Sequence, residues 1–207
     1  MKILSLTTLS MKALFTPVFI LAAVGAGLPG TLKAEPATFE IDDEHFSIAF
    51  LVDHVGYANQ LGQFLQAEGR FVYDEDANEL HSGEVIIQAD SVFTNHERRD
   101  NHLRDSDFLH ADRHATIRFE ATEWQPGNGR SGTLVGELTL LGETRPVELD
   151  VTLNKAAEYP FGHQRHTLGF SARASIERSE WGMTYGIDDG LVGDTVELIF
   201  EFEAIEQ

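Results

Sequence analysis

The chain has 207 residues, with 34 Asp and Glu against 15 Lys and Arg, nine His, no Cys and 42% apolar residues. This profile fits one soluble domain with a substantial core; it excludes a disulfide scaffold, a disordered tail protein and a nucleic-acid binder held by a basic surface. A formal net charge of -19 repels phosphate backbones and anionic lipid headgroups, so any partner is recognised through apolar contact, a local site or a cation. The missing cysteines remove thiolate nucleophiles, CxxC redox pairs, cysteine zinc sites and iron–sulfur clusters.

Residues 1–34 read as a separate object. Lys2 and Lys12 precede an apolar run from Ala13 to Leu28, and a polar stretch ends at Leu32-Lys33-Ala34. This is the pattern of a secretory signal peptide cleaved near Ala34, with Met11 as an alternative start. Pro17, Pro29 and the glycines around them interrupt a run already short for a membrane span. The expected mature chain, 35–207, is a single domain exported to the periplasm, or beyond it to the outside of the cell, with no stable membrane insertion after cleavage. Loss of Lys2, Lys12 and Lys33 takes its net charge to -22 and leaves Lys155 as its only lysine. Such a surface suits high external salt, which screens self-repulsion.

Along the rest of the chain the dominant signal has period two. Phe39 and Ile41 mark a short strand, and Phe46, Ile48, Phe50 and Val52 a longer one ending at His54. Leu65, Ala67, Gly69, Phe71 and Tyr73 alternate with polar residues around one exception, Val72, and Val85, Ile87 and Ala89 repeat the pattern. The segment Thr94–Arg104 breaks it. There Thr94 and Glu97 read as a capping box that starts a helix of about two turns, with Leu103, Phe108 and Leu109 available to pin it over one end of the sheet. Alternation then resumes with Ile117, Phe119 and Ala121, with Leu134, Gly136, Leu138 and Leu140, and with Val147, Leu149, Val151 and Leu153. Phe170, Ala172, Ala174 and Ile176 follow, and Val196, Leu198, Phe200 and Phe202 close the chain. Gly127-Asn128-Gly129 and Leu141-Gly142-Glu143 supply hairpin turns, so the eight or nine strands form a mostly antiparallel sheet.

A sheet with one polar face buries the other in a sandwich or a closed barrel. Eight strands in a barrel leave an interior just wide enough to be filled by side chains or to hold one small ligand. The small residues Gly69, Ala121, Gly136, Ala172 and Ala174 on the dry face either leave room or interdigitate with the bulky Phe residues; periodicity leaves both open. Charged outward faces exclude a transmembrane barrel.

Chemistry-bearing motifs are sparse. No GxSxG, HExxH, P-loop or dinucleotide fingerprint occurs. His96, His102, His110 and His114 fall within 19 residues, but the spacing of His96 and His102 does not place them on one helical face. The segment 94–114 therefore stands as a secondary candidate, either for divalent metal or, with Asp100, His102 and His54, for an exported hydrolase or isomerase. The second reading requires a His within reach of a carboxylate at the base of a cleft.

Several blocks resemble one known family. They are Phe50-x-x-x-His54-x-Gly56-Tyr57, then Thr94-Asn95 with Arg99-Asp100-x-His102-Leu103-Arg104 and Asp107-Phe108-Leu109, then Gly136-x-Leu138-Thr139-Leu140-x-Gly142-x-Thr144-x-Pro146-Val147. Together with Phe170-x-Ala172 and Ile176-x-Arg178-x-x-Trp181-Gly182 they resemble the YceI-like family of secreted bacterial proteins, from about Phe39 to Ala204. The resemblance implies an all-β fold, an extended eight-stranded antiparallel lipocalin-like barrel with one short helix. It also implies a non-catalytic protein whose tunnel holds a polyisoprenoid chain, a quinone tail or a fatty-acid-like lipid, with no cofactor required. Dimers occur among such proteins, so a homodimer is an expectation here. Asp105 departs from the family's usual Ser, with a changed helix exit as the consequence expected, and Trp181 from its frequent Phe, with a changed tunnel width. The residues expected to meet the ligand are Phe46, Ile48, Phe50, Phe71, Phe119, Leu138, Leu140, Phe170 and Phe200 from the dry face. Leu103, Phe108 and Leu109 join them at the mouth, and His54 and Tyr57 are candidates for a polar head group.

Overall fold

The computed structural model describes residues 35–207. The expected signal peptide at 1–34 lies outside the described residues. The strands are, in chain order, β1 (Ala37–His54), β2 (Ala58–Phe64), β3 (Ala67–Asp74), β4 (Glu79–Gln88), β5 (Val92–Phe93), β6 (Thr116–Pro126), β7 (Ser131–Leu140), β8 (Glu143–Glu158), β9 (His166–Glu177) and β10 (Val192–Glu206). One α-helix, α1 (Glu97–Arg104), joins β5 to β6 among the described residues. Neighbours run β10-β9-β8-β7-β6-β4-β3-β1-β2-β5, and β10 pairs with β1 as well, so the sheet closes on itself.

The closed wall has eight strands because β2 and β3 lie end to end on one edge of β1. That edge pairs with β3 over Ala37–Glu40 and with β2 over Ile48–His54, while the other edge pairs with β10. Every pairing is antiparallel, and closure of β10 onto β1 removes the free edges that an open sheet would carry. Period two drives the result: along β8, Val147 and Leu149 are buried while Glu148 and Asp150 are exposed. Between β7 and β8 only Leu141 and Gly142 intervene, both left-handed at φ 53° and 79°, the conformation of a two-residue hairpin turn.

Three sequence expectations change. First, the two segments Phe39–Ile41 and Phe46–His54 are a single strand whose pairing with β10 slips between Ile41 and Phe46. Second, β2 gave no apolar alternation, because its inward positions include Gln60 and Gly62 while Leu61 faces solvent. Leu65, expected on the dry face, is exposed in the bend between β2 and β3, where its N–H donates to the Ser91 carbonyl at 3.2 Å. Third, α1 starts at Glu97 with His96 as its cap, so Thr94 and Glu97 do not form a capping box. Thr94 is instead claimed by buried Asp100: its N–H and hydroxyl donate to Asp100 Oδ1 at 2.7 and 2.5 Å. Asp105 ends the helix through its backbone, its N–H donating to His102 O and its carbonyl accepting from Phe108 and His110. The exit therefore uses none of the side-chain chemistry in which Asp105 departs from Ser.

Candidate ligand-binding tunnel

The barrel interior is not filled. One cavity of about 380 Å³ lies at the α1 end and another of about 370 Å³ lies toward the opposite end. Ile87, Leu138, Leu198 and Phe200 line both, so the two meet at a shared apolar waist. Each is near the lower bound of a single small-molecule pocket, ~300–1,000 Å³. Laid end to end, they suit a long thin ligand better than a compact one.

The α1 end is built from several elements. Ile48 and Phe50 of β1, Leu140 of β7 and Phe200 of β10 supply wall, and Leu103, Phe108 and Leu109 close it from the helix and the turn after it. The helix is held in place by polar contacts to neighbouring backbone, and one of the residues making them, Arg99, also lines the cavity. Arg104 donates to the carbonyls of Asp90 and Val92 at 2.7 and 2.8 Å, and Arg99 to Thr94 Oγ1 and O at 2.7 and 2.6 Å. His54 lies on this cavity's rim with Asp53, Val55 and Leu191. At the far end Phe71, Phe119 and Phe170 form the wall, and Tyr73, Asn78 and Trp124 bring polar atoms to its lip. There Asn78 Oδ1 accepts from both the Tyr73 hydroxyl at 2.8 Å and the Trp124 indole N–H at 2.9 Å. Desolvation raises the Tyr73 hydroxyl above its ordinary pKa, so it stays a neutral donor.

Two of the expected ligand residues line neither cavity. Phe46, half-buried on the same face of β1 as Ile48, packs against the core without reaching either cavity, and Tyr57 is 89% exposed at the β1–β2 turn. Periodicity carried no information about Tyr57, which lies in a loop whose direction only the folded backbone sets. The dry-face glycines resolve differently from empty space: a Cβ on Gly136 would lie 2.2 Å from the Phe119 ring, so that glycine is the room the ring occupies. Trp181 also departs from expectation. It is 2% exposed, bonds through its indole N–H to the Leu138 carbonyl at 3.1 Å, and lies behind the cavity wall, so it does not set the tunnel width.

Sequence reasoning missed a further set at the mouth: Arg178, Met183, Tyr185 and Leu191. Arg178 is buried, and its guanidinium donates to the carbonyls of Gly193, Met183, Tyr185 and Val192 at 2.8 to 3.0 Å. Desolvation lowers its pKa, opposed by nearby Asp194. The irregular segment 182–192 is thereby folded over the rim by a single side chain. The Ile176-x-Arg178-x-x-Trp181-Gly182 block, followed by a loop rich in Gly, was the available signal.

The secondary candidates do not assemble. Asp100 is committed to Thr94, while His102, which lines the α1-end cavity with His54, pairs with the half-exposed Asp107 at 3.0 Å at the cavity's rim. Among the described residues, no three ligand-type side chains converge within 94–114.

Comparison with known proteins agrees with this architecture. The YceI-like domain model matches residues 39–204. A UPF0312 protein of Pseudomonas aeruginosa is 36% identical over 187 residues, covering 89% of this chain and 95% of that one. The structure of the Campylobacter jejuni YCEI protein superposes with a TM-score of 0.68 at 26% identity, over 75% of this chain and 90% of that one. A polyisoprenoid binding domain from Saccharophagus degradans shares the fold at a TM-score of 0.60 and 14% identity, over 84% of this chain and all of that one. The closed eight-stranded barrel, its tunnel and these matches together make the chain a member of the YceI-like family.

Proposed function

We propose that this protein is a non-catalytic carrier that holds one long apolar lipid, a polyisoprenoid chain or quinone tail, along its barrel tunnel, and that it does so in the periplasm. The observation that carries the reading is the pair of apolar cavities joined at Ile87, Leu138, Leu198 and Phe200. Transfer of hydrocarbon from water to such a lining is favourable by roughly 25 cal/mol per Å² of apolar area buried, so shape and apolar area dominate over polar recognition. The polyisoprenoid-binding activity named for the Saccharophagus degradans domain supports the same ligand class. A fatty-acid-like chain suits the same apolar lining. The absence of an assembled His–carboxylate cleft in 94–114 favours binding over catalysis. His54, Arg99 and His102 offer polar groups to a ring or head group left at the mouth.

Native mass spectrometry of the purified mature chain, followed by organic extraction, tests the reading. A stoichiometric isoprenoid adduct is expected. A protein that arrives empty and stays empty when offered isoprenoid quinones overturns it.

A further inference from the structure

A second feature lies on the outer face of the barrel, at the seam where β1 meets β10. Ile41 pairs with Ala204 and Phe46 with Phe202, so four residues of β1 stand against the single Glu203 of β10. Bulges of this kind bend a strand and re-aim its side chains. Here the slack brings Asp42 and His45 over Glu203. Asp42 Oδ2 lies 2.8 Å from His45 Nδ1, His45 Nδ1 lies 4.0 Å from Glu203 Oε2, and one ligand atom of each lies within 4.8 Å of the others.

Two further observations point to an occupant. Glu203 Oε2 is shielded from solvent and no donor reaches it in bonding geometry, the one side-chain atom so placed among the described residues, although the Tyr159 hydroxyl lies close to this carboxylate. Buried acceptors are almost always satisfied, and an ion or water is the usual explanation when no protein donor is present. In addition, the other oxygen of Asp42 is held by the Glu44 N–H at 3.0 Å, which aims Oδ2 into the cluster. Among the described residues no Lys or Arg is ion-paired with Asp42 or Glu203, so the His45 imidazole is the one cationic partner shown for the two carboxylates.

We propose that Asp42, His45 and Glu203 form a binding site for one divalent first-row transition-metal ion of the Zn²⁺ class, which ties β1 to β10 where the barrel closes. One imidazole nitrogen and two carboxylate oxygens suit such an ion, and the imidazole disfavours Mg²⁺ and Ca²⁺. Metal–ligand bonds of about 2.0–2.2 Å in tetrahedral geometry separate neighbouring ligand atoms by roughly 3.3 Å, between the two spacings observed, so small side-chain adjustments complete the site. Three protein ligands leave a position for water. The site is separate from the lipid reading, because Glu203 points outward while its neighbour Phe202 lines the tunnel.

The test uses untagged mature protein stripped with chelator, since a strongly acidic surface also collects divalent ions loosely. Zn²⁺ is titrated by calorimetry in millimolar Mg²⁺ and physiological salt, which displace such loose binding. One equivalent of Zn²⁺ per chain is expected, and Glu203→Gln and His45→Gln are each expected to weaken it at least ~10-fold, the loss that follows even from removing a supporting group around a metal. Circular dichroism of the metal-free variants checks that they fold. Independently of any variant, sub-stoichiometric Zn²⁺ is expected to shift the His45 ring resonances of the parent protein before those of any other histidine. Zn²⁺ that Mg²⁺ displaces, variants that fold and bind like the parent, or a first response at another histidine overturns the proposal.

Discussion

Phe50 of β1 faces Gly62 of β2 so closely that a Cβ built on the glycine falls 2.1 Å from Phe50 Cζ. The missing side chain is the space that the ring fills, and the ring in turn forms part of the cavity wall at the α1 end. Gly62→Ala is expected to push the ring into the cavity. Overpacking of this kind costs about 1–3 kcal/mol, and lipid affinity should fall with it. Thermal unfolding and displacement of a fluorescent lipid measure both, and Phe50→Leu added to Gly62→Ala should recover much of the loss. Unchanged stability and affinity in Gly62→Ala would show that the ring does not depend on the glycine.

The waist makes a length-dependent prediction. Leu198 lines both cavities. Leu198→Trp should divide the tunnel, so that isoprenoids short enough for one cavity still bind while long ones lose affinity. A series of quinones differing only in tail length reads this directly. Equal losses for every length would argue that the two cavities are occupied separately.

Trp181 and Trp124 separate structure from binding. Trp181→Phe removes the hydrogen bond to the buried Leu138 carbonyl and should cost about 1–3 kcal/mol in denaturant unfolding, with lipid affinity unchanged. Trp124 lines the far cavity. Quenching of tryptophan emission by a long quinone should therefore persist in Trp181→Phe and largely vanish in Trp124→Phe. The reverse pattern would place the ligand elsewhere.

Arg178→Met tests the organisation of the mouth. It leaves four backbone carbonyls without their shared donor, and each unsatisfied buried acceptor costs about 1–3 kcal/mol before water relieves it. The expected outcome is early proteolytic cleavage and fast hydrogen exchange in 182–192, together with lower overall stability. Protection in that segment equal to the parent's would mean that Arg178 does not hold it.

The alternation of apolar residues already carried much of this molecule. Buried and exposed positions follow the sequence parity along β7, β8 and β9, because each barrel wall has one dry face and one wet face. The same parity put Ile48, Phe119, Leu138 and Phe170 on the inner surface, where they line the cavities. It could not reveal β2, whose inward Gln60 and Gly62 face Phe50 and the cavity, nor the 182–192 segment, whose path depends on one arginine bonding to distant carbonyls. Tyr57 shows the converse: a residue named within a motif, yet in a loop that carries it into solvent.

What the sequence by itself determined was the antiparallel sheet with one apolar face, the position of the helix between the strands at Val85–Ala89 and Ile117–Ala121, and the family; all follow from local periodicity, turn chemistry and motif. Closure of β10 onto β1, the choice between a packed interior and an open one, and the meeting of Asp42, His45 and Glu203 were decided only in three dimensions. Each depends on register and ring placement between residues far apart in the chain. A one-residue change in pairing moves every side chain to the opposite face, and no local pattern records which register the closed barrel selects.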